Sequence, residues 1–93
     1  MPFSIYILRC SDGSLYIGHT EDLSQRLADH NAGRAALFTR NRRPVRVAYS
    51  ETYDDVLTAI GRERQLKKWS RKKKEALIAD DLDGLHEAAR RKR

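Results

Sequence analysis

Tyr6 and, ten residues later, Tyr16 stand in neighbouring runs of β-branched and aromatic residues, and three further polar side chains occupy positions where apolar ones would be expected. At 100° per residue, Arg26 and His30 share the helical face of Leu23 and Leu27. Glu63 falls near the centre of a stripe formed by Val56, Ala59, Ile60 and Lys67. An inward carboxylate is costly to bury alone, so Glu63 either ligates a divalent cation or pairs with a neighbouring Arg or Lys. Arg26 and His30 either face a site or snorkel at the stripe's edge. The two tyrosines either stabilise the strands as a cross-strand aromatic pair or offer their hydroxyls to a site. Taken together, these residue types could hold one hard cation, clamp an oxyanion with a planar guanidinium, and move a proton through a phenol.

Such a set must be positioned by a single core, because two units of under about fifty residues each would bury too little surface to stand alone. Phe3 to Arg9 and Leu15 to His19 read as strands of a hairpin across the turn Ser11-Asp12-Gly13-Ser14. Asp22 with Gln25 three residues on has capping-box spacing, and starts a helix that Gly33 ends. Arg34 to Pro44 reads as a basic loop, Val45 to Thr52 as a third strand, and Asp54 to Lys68 as a second helix. Ser70 can cap a third helix over Arg71 to Ala79, and Asp83 opens a short final one that runs into Arg90-Arg91-Lys92-Arg93. The order ββαβαα predicts an α+β fold, an α/β sandwich in which a small three-stranded antiparallel sheet is flanked by helices. Residues 1–80 are expected to form the domain, and 81–93 a short helix and basic tail.

The composition, 40% hydrophobic and 34% charged, fits a compact domain with a heavily solvated exterior. No apolar run approaches the ~20 residues of a membrane span, and the first residues lack the pattern of a signal peptide. A cytoplasmic protein with no membrane partner is expected; nothing in the sequence fixes an oligomeric state. One cysteine, Cys10, cannot form an internal disulfide and is expected to pack in a strand. The net charge of +6 is concentrated in two blocks. Arg34, Arg40, Arg42, Arg43 and Arg46 form the first; Arg62, Arg64, Lys67, Lys68, Arg71, Lys72, Lys73 and Lys74 dominate the second. Clustered positive charge is either a solubilising face or the footprint of a surface that meets a phosphate backbone. Trp69, within the second block, is expected to pack under the third helix.

As an ordered set, Ser4-Ile5-Tyr6, Tyr16-Ile17-Gly18, then Arg26 and His30 on one helix and Glu63 on another, resembles the GIY-YIG nuclease family, in particular its small stand-alone bacterial members. The resemblance runs from about Phe3 to Ile78 and is densest from Tyr16 to His30, with Ala59, Glu63 and Lys67 at the family's helical spacing. The chain departs from the pattern at Ser4, where many relatives have glycine. It also has no counterpart of the late asparagine found in some homing and restriction relatives, since no Asn follows Asn41.

The resemblance implies a metal-dependent endonuclease that hydrolyses phosphodiester bonds in nucleic acid, expected to be DNA, and suggests DNA repair as a setting. Tyr6 and Tyr16 match the paired motif tyrosines, Arg26 the helix arginine, His30 the adjacent helix position, and Glu63 the metal-binding glutamate. Glu63 with waters would hold one Mg²⁺ or Mn²⁺ ion, and Arg26 would clamp a phosphoryl oxygen. Tyr16 is assigned as base or water-positioning group with Tyr6 as its hydrogen-bonded partner, and His19 as an aid to proton transfer or a solvated strand end. Arg40, Arg42 and Arg43 on the loop, with Lys67, Lys68, Arg71, Lys72 and Lys73 on and beyond the second helix, would grip the backbone. Without a zinc spacing or helix-turn-helix pattern, low sequence specificity is expected. A rival reading is a non-catalytic nucleic-acid-binding module that keeps the fold; a basic protein-interaction adaptor is a weaker third.

Overall fold

A computed structural model describes residues 2–83. Strands β1 (Phe3–Arg9), β2 (Leu15–Thr20) and β3 (Arg46–Tyr53) form an antiparallel sheet in the order β2-β1-β3. Helices α1 (Leu23–Asn31) and α2 (Leu37–Arg40) lie between β2 and β3, and α3 (Val56–Lys68) and α4 (Arg71–Asp83) follow β3. The expected order ββαβαα holds, with α2 inserted in the segment read as a loop. Four residues are too few to display a helical period, which is why sequence periodicity misses α2.

β1 is buried from Ile5 to Leu8 because both faces of the central strand are covered. Alternation sends Ile5 and Ile7 to one face, where they pack with Ile17, Ala59, Leu66 and Ile78 beneath α3 and α4. Tyr6 and Leu8 go to the other, against Cys10, Val45, Leu23 and Leu27. Cys10 is packed, as expected, but just past the end of β1 and not within a strand, and Trp69 packs against the first cluster.

Caps fix the helix starts. The Asp22 carboxylate accepts the Gln25 backbone N–H, as the capping-box spacing predicts. Asp55 accepts from Leu57 and Thr58 N–H, so α3 begins at Val56, two residues later than expected. Ser70 Oγ accepts Lys73 N–H and caps α4. The described part of α4 runs without a break to Asp83, beyond the Ala79 expected as its end; the short final helix and basic tail expected from there on lie outside the described residues. Gly33 follows α1 at φ 79°, a left-handed position suited to glycine. Among the described residues, no helix is long and apolar enough to cross a membrane.

The inward face of α3 also differs in detail from the expected stripe. Ala59 and Leu66 are its buried residues, whereas Val56 and Lys67 are exposed at its margin. Glu63 does lie on the inward side, its side chain only 13% accessible. α3 packs over β1 and the edge strand β2, which carries Glu63 to the sheet's edge beside Gly18.

Candidate active site

Tyr6, Tyr16, Gly18, His19, Arg26, His30 and Glu63, with Ala35 and Ala36, line one cavity of about 290 Å³. Every catalytic candidate from the sequence therefore meets at a single place, although β1, β2, α1 and α3 supply them separately. Tyr6 pairs in register with Gly18, and Leu8 with Tyr16, so the two tyrosines are diagonal neighbours on one face of the sheet. Their ring centroids are 6.5 Å apart.

The partner of Tyr6 is not the expected one. Its hydroxyl meets His30 Nε2 at 3.1 Å, whereas Tyr16's hydroxyl makes no hydrogen bond among the described residues. The proton order in this network follows from its far end. Thr39 Oγ1 donates to the Ala36 carbonyl at 3.1 Å, and a carbonyl can only accept. His30 Nδ1, 2.8 Å from Thr39 Oγ1, must then be the N–H donor, which leaves Nε2 to accept the Tyr6 hydroxyl proton. His30 is 1% exposed and Thr39 0%. Burial, reinforced by the Arg26 charge, lowers the His30 pKa and keeps the ring neutral. Burial also pushes Tyr6 up to about 12, with Tyr16 contributing in the same direction and Arg26 opposing. Tyr6 is thus held as a protonated hydroxyl. Thr39 carries no sequence signal, because its role depends on a contact with a residue nine positions away on another helix.

Glu63 is engaged through both oxygens. Oε1 accepts His19 Nδ1–H at 2.5 Å, and Oε2 lies 2.9 Å from Lys67 Nζ. Burial alone would raise its pKa, but the bonds from Lys67 and His19 outweigh that and hold the carboxyl below its ordinary value. With Nδ1–H on Glu63, His19 leaves Nε2 able to take a proton. Arg26 supplies the remaining feature: its Nε is buried and has no hydrogen-bond partner among the described residues. A buried donor left unpaired costs about 1–3 kcal/mol, which an anion entering the cavity would relieve.

The two basic blocks converge on the hairpin turn. Arg42 Nε donates to Asp12 at 3.2 Å, and Arg71 donates to the Gly13 carbonyl at 2.7 Å. Several of these cations are partly occupied. Arg42 also donates to the Phe38 carbonyl, Arg43 to the Arg40 and Asn31 carbonyls, and Arg71 to Glu75. Arg40, Lys68, Lys72 and Lys73 form no ion pair with described residues; Lys73 lies over the Trp69 ring. Arg40 and Arg43 also line an open groove of about 550 Å³ with Asn31, Asn41 and Pro44.

Comparison with known proteins gives a consistent result. The family model described as GIY-YIG catalytic domain matches residues 2–76. A UPF0213 protein of Bacillus pumilus is 44% identical over 85 residues, covering 88% of this chain and 87% of the relative. A UPF0213 protein of Natronomonas pharaonis is 43% identical over 77 residues, covering 83% and 91%. The solution structure of a UPF0213 protein from Bacillus halodurans superposes with a TM-score of 0.57 at 38% identity, covering 90% of this chain and 87% of that one. The solution structure of a second protein, from E. faecalis, gives a TM-score of 0.61 at 34% identity, covering 92% of this chain and 93% of that one. With the family model spanning most of its length and the motif residues gathered in one cavity, this chain belongs to the GIY-YIG family, and its fold is that of the small UPF0213 proteins.

Proposed function

We propose that the protein is a metal-dependent endonuclease that hydrolyses phosphodiester bonds in DNA with low sequence specificity. The observation that carries this reading is the buried Arg26 Nε, without a hydrogen-bond partner among the described residues, in a cavity that also holds two tyrosines, a neutral histidine and an ionised carboxylate. A phosphoryl oxygen is the ligand that completes Arg26, because its guanidinium fork matches that geometry.

The donor set fits one hard divalent ion. Glu63 is the carboxylate of the cavity, and among the described residues no three acidic, histidine or cysteine side chains form a metal cage. Mg²⁺ or Mn²⁺, which can take one carboxylate and complete their shells with water and substrate oxygens, suit such a site. When bound, the ion supplies Lewis acidity and stabilises the departing alkoxide. Arg26 holds the phosphoryl group and meets the charge that develops on it. Tyr16, whose hydroxyl bonds to no other described residue, orients the attacking water and, once its own proton has left to solvent, takes that water's proton as the phenolate. Tyr6, tied to His30, offers a second route, since a proton accepted at Tyr6 can be matched by transfer of its own to His30 Nε2. His19, anchored on Glu63, relays protons at the outer edge of the cavity.

The rival reading, a non-catalytic binding module, draws on the contact of both Glu63 oxygens with protein cations. One experiment separates them. The purified protein is incubated with supercoiled plasmid, single-stranded and branched DNA, and RNA, each with Mg²⁺ and with chelator. Metal-dependent cutting of DNA supports the enzyme; retention of nucleic acid without cutting supports the module.

A further inference from the structure

The active-site cavity has a neighbour. A second cleft, of about 180 Å³, is lined by Leu15, Tyr16, Ile17, Phe38, Lys67 and Lys74. Tyr16 borders both spaces, and Lys67 joins them through its pair with Glu63. We propose that this cleft receives one unpaired nucleobase of the strand being cut, beside the reacting phosphate, a reading that rests on the nuclease assignment above.

Three observations support it. Phe38 is 39% exposed, and its ring lies against Tyr16 at 6.0 Å and 28°. It is held there, because the Arg42 guanidinium sits 4.0 Å from its centroid while bonded to the Phe38 carbonyl and to Asp12. An exposed aromatic fixed in this way is an ordered platform rather than a loose surface side chain. Secondly, Lys67 and Lys74 line the same cleft, and their apolar stems can cover a base while their ammonium groups meet the phosphates on either side. Alternating aromatic and cationic groups are how proteins hold unpaired strands. Thirdly, the cleft is smaller than the roughly 300–1,000 Å³ of a site for a whole small molecule, so it suits one flat ring attached to a chain that continues outside. A base inside a duplex has both faces covered by its neighbours, so only one out of the stack can enter.

The test needs binding alone. A labelled single-stranded DNA oligonucleotide is titrated with protein in chelator, followed by anisotropy, and compared with a set in which one position at a time is abasic. In the parent protein, one position should weaken binding about tenfold when its base is removed. In Phe38→Ala the same removal should cost less than about twofold, because protein and base would have lost a shared contact. Phe38→Trp should restore the parent's dependence, and Phe38→Leu, which keeps an apolar group against Tyr16, should not; melting temperatures confirm that each variant folds. Loss of affinity at the abasic position by the same factor in parent and Phe38→Ala, or indifference to every abasic position, would overturn the subsite. Failure of the parent to bind any oligonucleotide or duplex would instead overturn the nuclease reading on which it stands.

Discussion

The Tyr6 hydroxyl lies over Gly18 so closely that a Cβ placed on Gly18 would stand 2.5 Å from the hydroxyl oxygen and 2.8 Å from the ring carbon that bears it. Glycine is therefore required here by close approach and not by backbone conformation. Gly18→Ala should push the buried Tyr6 ring aside and break its bond to His30. A loss of about 1–3 kcal/mol is expected, the usual cost of overpacking a core. Denaturant melts check this directly; parent-like stability would mean that Tyr6 has another place to go.

Removing single hydroxyls separates the two tyrosines. Tyr16→Phe should lower cleavage by about 100-fold or more, the scale of a lost acid–base group, with fold and affinity retained. Tyr6→Phe should be less damaging to the rate but should cost about 1 kcal/mol of stability, since it leaves the buried His30 Nε2 without a donor. Single-turnover rates and melts on the same preparations measure both. A fully active Tyr16→Phe would remove Tyr16 from its role as base.

Glu63→Gln keeps size and helix preference but removes the charge. Cleavage should vanish at ordinary Mg²⁺ concentrations, while nucleic-acid affinity holds or rises because a negative charge facing phosphate is gone. Stability in chelator should change by under about 1 kcal/mol, since the Lys67 partner is largely exposed and such pairs contribute little. A destabilised but still active variant would return Glu63 to a purely structural role.

Binding should be strongly electrostatic. If about five phosphates are neutralised on duplex DNA, log K should fall against log salt with a slope of roughly −4.5. Replacing Arg40, Lys68 and Lys72, which have no acidic partner among the described residues, with Ala should bring the slope to about −1.8. An unchanged slope would place the interface elsewhere.

On β3, away from the cavity, Glu51 accepts from Tyr49, Tyr53 and both Arg62 Nε and Nη2. Burial alone would raise its pKa, but the Arg62 bonds and the two phenols outweigh it and lower the carboxyl from 4.5. A lowered folded pKa means that the contribution to stability is complete above the unfolded value, about 4.5, and is lost as pH falls through the lower folded one. Glu51→Gln should cost about 3 kcal/mol at pH 7, the lower end for breaking a buried pair, and should flatten the acid limb of the stability curve. Urea melts between pH 3 and pH 7 on both proteins test this.

The sequence determined the strands, the Asp22 and Ser70 caps and which side chains gather in one cavity. Alternation through Phe3–Arg9, the Asp22–Gln25 spacing and the inward positions of Arg26, His30 and Glu63 are local patterns, read within one or two turns of chain, and the structure bears them out. What each side chain touches was decided by tertiary structure. His30 takes the Tyr6 hydroxyl across 24 positions, Glu63 meets His19 across 44, and Arg71 reaches Gly13 across 58. Thr39 orders the His30 protons from a four-residue helix with no period to detect. Two basic blocks that are separate in sequence meet on one hairpin turn. The reason is physical: spacing fixes which way a side chain faces on its own helix or strand, whereas its partner is chosen by how those elements pack against one another.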